Sequence, residues 1–434
     1  MSSNPVRETA ANTETDRFGN PLDPIVRYAR GEILASTDQE VARMLLARGI
    51  VGATVRAKGK EAIYDLSGMN RGSGITAEDV PHLTSHVPFF ARFEGKTEPL
   101  ALKHMGADPA KHAALILNRV SAANFIALTT LLRKSDRVFA FAPAGGVSHP
   151  STVRPISMAA ADLREFHSYA ELKKAWDGGA PRLLLITPIS ASKRHIPFAE
   201  FKQALALPRG PETIVYVDDA HMASRIAFFD EPATFLVGEI DLAVCSADKH
   251  VAGPRAGVLV GKADLVTRIG SRAYELGLEA QAGQYVGVAN ALRDFDTRAV
   301  KQAGELAKQL VEVLVAKYGP KRIYLGGPGV SVGGDDVLEI AMERRSLRGK
   351  PALVAVEAAG IVGMHMLEHD GILTIGAVAM PGSAPAVRLM MYPDGARLGV
   401  PRIVAALESG IVRLSGLLDD LPAARQLLLG KEAA

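Results

Sequence analysis

The sequence predicts an α/β protein: a large domain built on a mostly parallel sheet, followed by a smaller α+β C-terminal domain. Three observations lead there. Short, nearly all-apolar runs recur at residues 113–117, 138–141, 183–186, 214–217 and 242–245. A strand that is apolar at every position is buried on both faces, which is the pattern of a parallel sheet covered by helices. Most of these runs are separated by helical or loop segments, as parallel crossovers require. Beyond residue 318 the rhythm changes to short strands mixed with helices.

The elements follow in chain order. Residues 1–20 are polar and read as a flexible arm. Across 25–49, Ile25, Ala29 and Ile33, then Val41, Met44 and Leu45, recur at helical spacing and predict one or two helices. Residues 50–110 show no clear period, so they read as an irregular stretch that lines a site. A helix is expected at 121–132 and a further strand at 257–261. Over 294–318 a long amphipathic helix places Val300, Ala303, Ala307, Leu310 and Leu314 on one stripe, and Gly319-Pro320 ends it. Strands are then expected at 337–340, 372–375 and 387–391, and a last helix at 401–418. The expected division is an N-terminal arm with helices (1–60), a large domain (61–300) and a small domain (301–434).

Composition narrows the function. The chain has 434 residues, 48% hydrophobic and 22% charged, which excludes a disordered, collagen-like or coiled-coil protein. Its charge of 50 − 47 = +3 is spread without a basic block and argues against a nucleic-acid partner. A single cysteine, Cys245, excludes a disulfide framework and any multi-cysteine metal site. No apolar run approaches the ~18–20 residues of a membrane span. The N-terminus lacks the basic-then-apolar pattern of a signal peptide, so a cytoplasmic location and no membrane partner are expected.

Chemistry concentrates in two segments. Ile214-Val215-Tyr216-Val217-Asp218-Asp219-Ala220-His221 is followed by Ser246-Ala247-Asp248-Lys249-His250-Val251-Ala252-Gly253-Pro254-Arg255-Ala256-Gly257. Each follows a buried strand, so Asp218 and Lys249 stand at carboxyl ends of strands, where open α/β sheets place their ligands. A lysine and an acid so placed suit pyridoxal 5'-phosphate. The lysine forms a Schiff base with its aldehyde, and the acid keeps its ring nitrogen protonated.

The run from Ser246 to Gly257, Ser-x-x-Lys-x-x-x-Gly-Pro-x-x-Gly, resembles fold type I pyridoxal-phosphate enzymes, and over residues 60–425 the chain is most similar to their selenocysteine synthase-like branch. That branch includes seryl-tRNA selenium transferase and D-glucosaminate-6-phosphate ammonia lyase. The resemblance implies that Lys249 carries the cofactor, Asp218 bonds its ring nitrogen, His221 lies beside its phenolic oxygen and Ser246 reaches its phosphate. It places Val120 and Ser121 at the phosphate-binding turn, where free N–H groups at a helix start favour an anion. It places His149 against the ring and Arg388 at the substrate carboxylate, for which a bidentate guanidinium is suited. The chain departs from the branch at Val120, where glycine is common, and at 275–283, which lacks the basic residues typical of the ammonia lyases. The implied assembly is a homodimer or higher homo-oligomer, with Arg255 serving a neighbouring subunit's site or an interface ion pair.

The expected activity is that of a lyase: β-elimination through a Cα carbanion on an amino-acid-like substrate. Transamination comes second and a catalytically inactive scaffold or regulator third; selenium transfer on tRNA is disfavoured by the small net charge. Two other motifs are set aside. His365-Met366-Leu367-Glu368-His369 has the H-x-x-E-H order of a zinc peptidase, but it runs into Gly371-Ile372-Leu373, a helix-to-strand passage, and no metal is assigned. The glycines at 326–334 lack the order of a dinucleotide loop.

Overall fold

Residues 14–69 and 72–430 are described by a computed structural model; most of the expected flexible arm, residues 1–13, lies outside them. The strands in chain order are β1 (Tyr64–Asp65), β2 (His112–Leu117), β3 (Arg137–Phe141), β4 (Asp162–Phe166), β5 (Leu183–Ile186), β6 (Ile214–Asp218), β7 (Leu242–Ser246), β8 (Gly257–Lys262), β9 (Ile323–Leu325), β10 (Gly329–Gly333), β11 (Ile372–Leu373) and β12 (Ala386–Met390).

The all-apolar runs form one seven-stranded sheet in the order β2-β8-β7-β6-β5-β3-β4. The neighbours from β7 through β4 pair in parallel. β8 runs antiparallel to both β7 and β2, because the connection 247–256 is too short for a crossover helix and turns back on itself. Side chains alternate between the faces. Val215, Val217, Ala243 and Cys245 enter one core, and Ile214, Tyr216, Leu242 and Val244 enter the other. The edge strand β4 escapes a search for apolar runs, since Asp162, Arg164 and Glu165 occupy three of its positions.

A third core joins the two ends of the chain, with Val26, Ile33, Leu34 and Leu66 packed among Leu310, Val337, Ile361 and Leu407. Buried Glu357 ties them together. Its Oε1 accepts from the amides of Ile33 (2.7 Å) and Leu34 (2.9 Å), and its Oε2 from that of Val354 (3.1 Å). Here lies the three-stranded antiparallel sheet β12-β10-β9.

Several expectations need correction. Residues 337–340 belong to a helix, Gly334–Arg344, which buries Val337, Leu338, Ile340 and Ala341; a short apolar run fits either element, and the strand is the preceding β10. Residues 25–33 form no helix, because the Asp23 carboxylate accepts from the amides of Ile25 and Val26 and holds a turn. The helix that follows is Thr37–Lys58, capped by Ser36. The stretch 50–110 is therefore not irregular throughout, and it also contains helices His86–Phe93 and Thr97–Met105. At 372–375 only β11 is strand, followed by the helix Ile375–Val378. The long amphipathic helix is Thr297–Tyr318, ended by Gly319 at φ +87°. Among the described residues no helix is long and apolar enough to cross a membrane.

Candidate active site

Period-two alternation places Tyr216 and Asp218 of β6 on the sheet face covered by helix Val120–Leu131. From that helix the fully buried Asn124 donates through Nδ2 to Asp218 Oδ2 at 3.1 Å and to Ser151 Oγ at 3.1 Å, while its Oδ1 accepts from the Tyr216 hydroxyl. Asp218 is 4% exposed, and no donor completes a hydrogen bond to its Oδ1 among the described residues. Burial raises its pKa, with Lys249, Asn124 and the amide of Ala220 pulling the other way. Asp219 turns to the opposite face, where Arg225 Nη2 (2.7 Å) and Thr234 Oγ1 (2.7 Å) donate to it.

Lys249 lies in the turn between β7 and β8. Ala247 N donates to Ala256 O and Gly253 N to Ala247 O, closing the loop on itself. Gly253 is needed there, since a Cβ would stand 2.6 Å from the Ala247 carbonyl oxygen. Burial lowers the pKa of Lys249, with Asp248 and Asp218 opposing. Gly257 brings β8 against the start of helix Val120–Leu131, where a Cβ would meet Arg119 O at 2.7 Å and Val120 Cα at 2.9 Å.

One cavity is lined by Val120, Ser121, His149, Asp218, His221 and Lys249, with Ser151, Thr187, Ile189, Ala191 and Ala220. An adjoining cavity shares Val120, Ser121, His149 and Lys249 and adds Ser246, Asp248, Arg119, Arg255 and Met380. The expected site residues thus converge, with Arg388 one layer behind: its Nη2 donates to Ala191 O, and its Nε has no hydrogen-bond partner among the described residues. Burial lowers its pKa to about 10. Ser246 Oγ donates to Asp248 Oδ1 at 2.6 Å. His149 caps helix Pro150–Met158, its Nδ1 accepting from Ser151 N at 3.1 Å. Burial, reinforced by Lys249, Arg388 and Arg154, holds His149 down to about 3, so it is neutral with its proton on Nε2.

Sequence reasoning missed Asn124, Lys193 and His250. Asn124 sits one helical turn after Val120, a spacing that could have flagged it; Lys193 and His250 carry no comparable signal. In the set-aside motif, His365 Nε2 pairs with Ser409 Oγ at 2.8 Å.

The residues suit pyridoxal phosphate. A buried acceptor without a donor matches a ring N–H, an amine of lowered pKa matches an aldehyde, and a helix start approached closely by Gly257 matches a phosphate. The architecture is that of the fold type I pyridoxal-phosphate-dependent transferases. Ureidoglycine–glyoxylate aminotransferase from Bacillus subtilis superposes with a TM-score of 0.55 over 84% of this chain and 96% of that one, at 13% identity. In sequence, the chain is 28% identical over 393 residues to a UPF0425 pyridoxal phosphate-dependent protein of Methanothermobacter thermautotrophicus, covering 90% of this chain and 98% of the relative. A protein of the same description from Methanosphaera stadtmanae is 26% identical over 377 residues, 86% of this chain and 94% of that one. No family model matches.

Proposed function

We propose that the chain is a pyridoxal-phosphate-dependent enzyme that removes the Cα proton of an amino acid or a related amine-bearing acid. The observation that carries this reading is the donorless, buried Asp218 Oδ1 on the same cavity as the Lys249 amine. Similarity to two relatives described as dependent on that cofactor supports it.

When bound, the cofactor supplies an aldehyde that condenses with amines and a ring that withdraws electrons from Cα. Asp218 would accept the ring N–H at Oδ1 and hold that proton in place. Lys249 would hold the cofactor, and its Nζ would be the group that takes the Cα proton; burial, which lowers its pKa, favours the neutral amine that this role needs. The first-turn amides at Val120 and Ser121, with Ser246, are assigned to the phosphate, His149 to the ring face, His221 to the phenolic oxygen and Arg388 to the substrate carboxylate. β-Elimination with release of ammonia and a keto acid is the reaction favoured by the resemblance of segment 246–257 to the selenocysteine synthase-like branch. We assign the chain to a homodimer or larger assembly, with a sedimentation mass that is a multiple of 46.0 kDa.

The test is spectroscopic. Protein loaded with pyridoxal phosphate should show a visible band abolished by borohydride, with the reduced cofactor on Lys249 by mass spectrometry and no band in Lys249→Ala. Screening amino acids by spectral shift, with assay of ammonia and keto acid, then identifies the reaction. A protein that stays colourless with the cofactor sinks the reading.

A further inference from the structure

Behind the cavity wall lies a buried amine that the proposed chemistry does not use. Lys193 is 3% exposed, and its Nζ lies 3.0 Å from Nδ1 and 3.4 Å from Nε2 of His221, its only side-chain partner among the described residues. His221 lines the cavity; Lys193 does not. The backbone is shaped to put Lys193 there. Its φ is +69°, a left-handed conformation that costs about 1 kcal/mol for a residue with a Cβ. Its amide donates to Ser190 O at 3.0 Å, closing the turn. On the other side the chain passes so close that a Cβ on Gly326 would collide with Lys193 Cβ.

The charges around the pair are one-sided. Lys249, from the connection between β7 and β8, and Arg388, from β12, act on both members, His250 acts on His221, and Asp218 at the end of β6 lines the same cavity as His221. Asp218 is held by Asn124, and among the described residues no carboxylate lies within hydrogen-bond reach of Lys193. Both ring nitrogens of His250 are buried without a hydrogen-bond partner among the described residues. Burial, with Arg388 and Lys249, depresses Lys193; burial, with Lys193 and its basic neighbours, depresses His221. The amine lies within reach of both ring nitrogens, 3.0 Å from Nδ1 and 3.4 Å from Nε2, so this contact holds the imidazole ring in one orientation.

We propose that Lys193 is a positioning residue acting through His221: it fixes the orientation of the imidazole, and thereby the hydrogen bond that His221 offers to the bound cofactor. The inference rests on the cofactor reading above and assigns a role to a residue that cannot itself touch substrate.

The experiment is a double-mutant cycle on the full chain loaded with pyridoxal phosphate, reading the pH midpoint of the cofactor's visible absorbance. Lys193→Met should fold, because it replaces a buried amine that has no counter-ion with an apolar side chain of similar length. On the wild-type background it should move the midpoint by about one unit, a tenfold change in proton affinity. On the His221→Asn background it should move nothing. Gly326→Ala, which displaces Lys193 without altering its chemistry, should shift the midpoint in the same direction as Lys193→Met. Equal shifts on both backgrounds would mean that Lys193 acts directly through its charge, and no shift would mean that it is structural; either overturns the proposal. A wild-type protein with no cofactor band overturns the cofactor reading, and this inference with it.

Discussion

Asp218→Asn should stabilise the protein without its cofactor and weaken its hold on the cofactor, two opposite effects from one atom. The wild-type carboxylate is buried with one oxygen lacking a donor, a situation that costs about 1–3 kcal/mol. Asparagine keeps the carbonyl that accepts from Asn124 and removes the charge. At about 2.1 cal/mol/K of unfolding entropy per residue, a chain of 434 residues gains about 1 °C in Tm for each kcal/mol. The expected gain is therefore at most about 1–3 °C, because the new NH2, standing where Oδ1 stood, is itself short of a partner. It should also depend on pH. The unfolded carboxyl ionises near 3.8 and the folded one higher, so the folded state binds this proton more tightly. Stability is lost as pH rises through the interval between those two values, and the loss is complete above the folded one. The advantage of Asp218→Asn should thus be absent below pH 3.8 and full above the folded pKa. With cofactor, a charge-assisted hydrogen bond becomes a neutral one, and affinity should fall about tenfold or more. Thermal unfolding from pH 4 to 8 and fluorescence titration with pyridoxal phosphate measure both effects. A variant that is less stable when empty and binds as tightly as wild type would refute the reasoning.

Other expectations follow from neighbouring contacts. Asn124→Leu strips the donor from Asp218 Oδ2 and should destabilise the empty protein by about 1–3 kcal/mol in urea unfolding. Arg225→Met leaves Asp219 and Glu231 buried without their cation and should cost about 3–5 kcal/mol by the same measurement; an unchanged midpoint would show that the triad is already solvated. Gly257→Ala pushes β8 away from Arg119 and Val120 and should weaken binding of pyridoxal phosphate at least as much as that of pyridoxal, since the phosphate turn is what moves.

What the sequence revealed depended on how local its signals were. The central strands were legible because burial on both faces leaves apolar residues at every position, and the long helix because Leu310 and Leu314 keep its stripe in register. The segment 337–340 misled because four apolar-rich residues fit a strand or a helix equally, and only packing against the third core selects the helix. Lys249, Asp218 and His221 were visible because each follows a buried strand. Lys193 was not, since nothing local distinguishes it from a solvated lysine; its burial comes from a left-handed turn and from Gly326, 133 positions away in the chain.

The adjacent aspartates show how the fold separates structure from chemistry. A strand sends consecutive side chains to opposite faces, so Asp218 and Asp219 share a sequence neighbourhood but no surroundings. On its face Asp219 receives Arg225 and Thr234, with Glu231 balancing the remaining guanidinium hydrogens. Its demand for donors is met by protein, so a ligand has nothing to add there. Asp218 receives the side-chain amide of Asn124 and is steadied by the backbone amide of Ala220, yet among the described residues its Oδ1 has no donor, on the cavity it lines with Lys249. Holding a buried acceptor short of a partner lowers stability, and a chain that completes one carboxylate so fully could have completed the next. The incomplete one lines the same cavity as Lys249, so under the proposed function it is the carboxylate with room to accept an N–H from outside the chain.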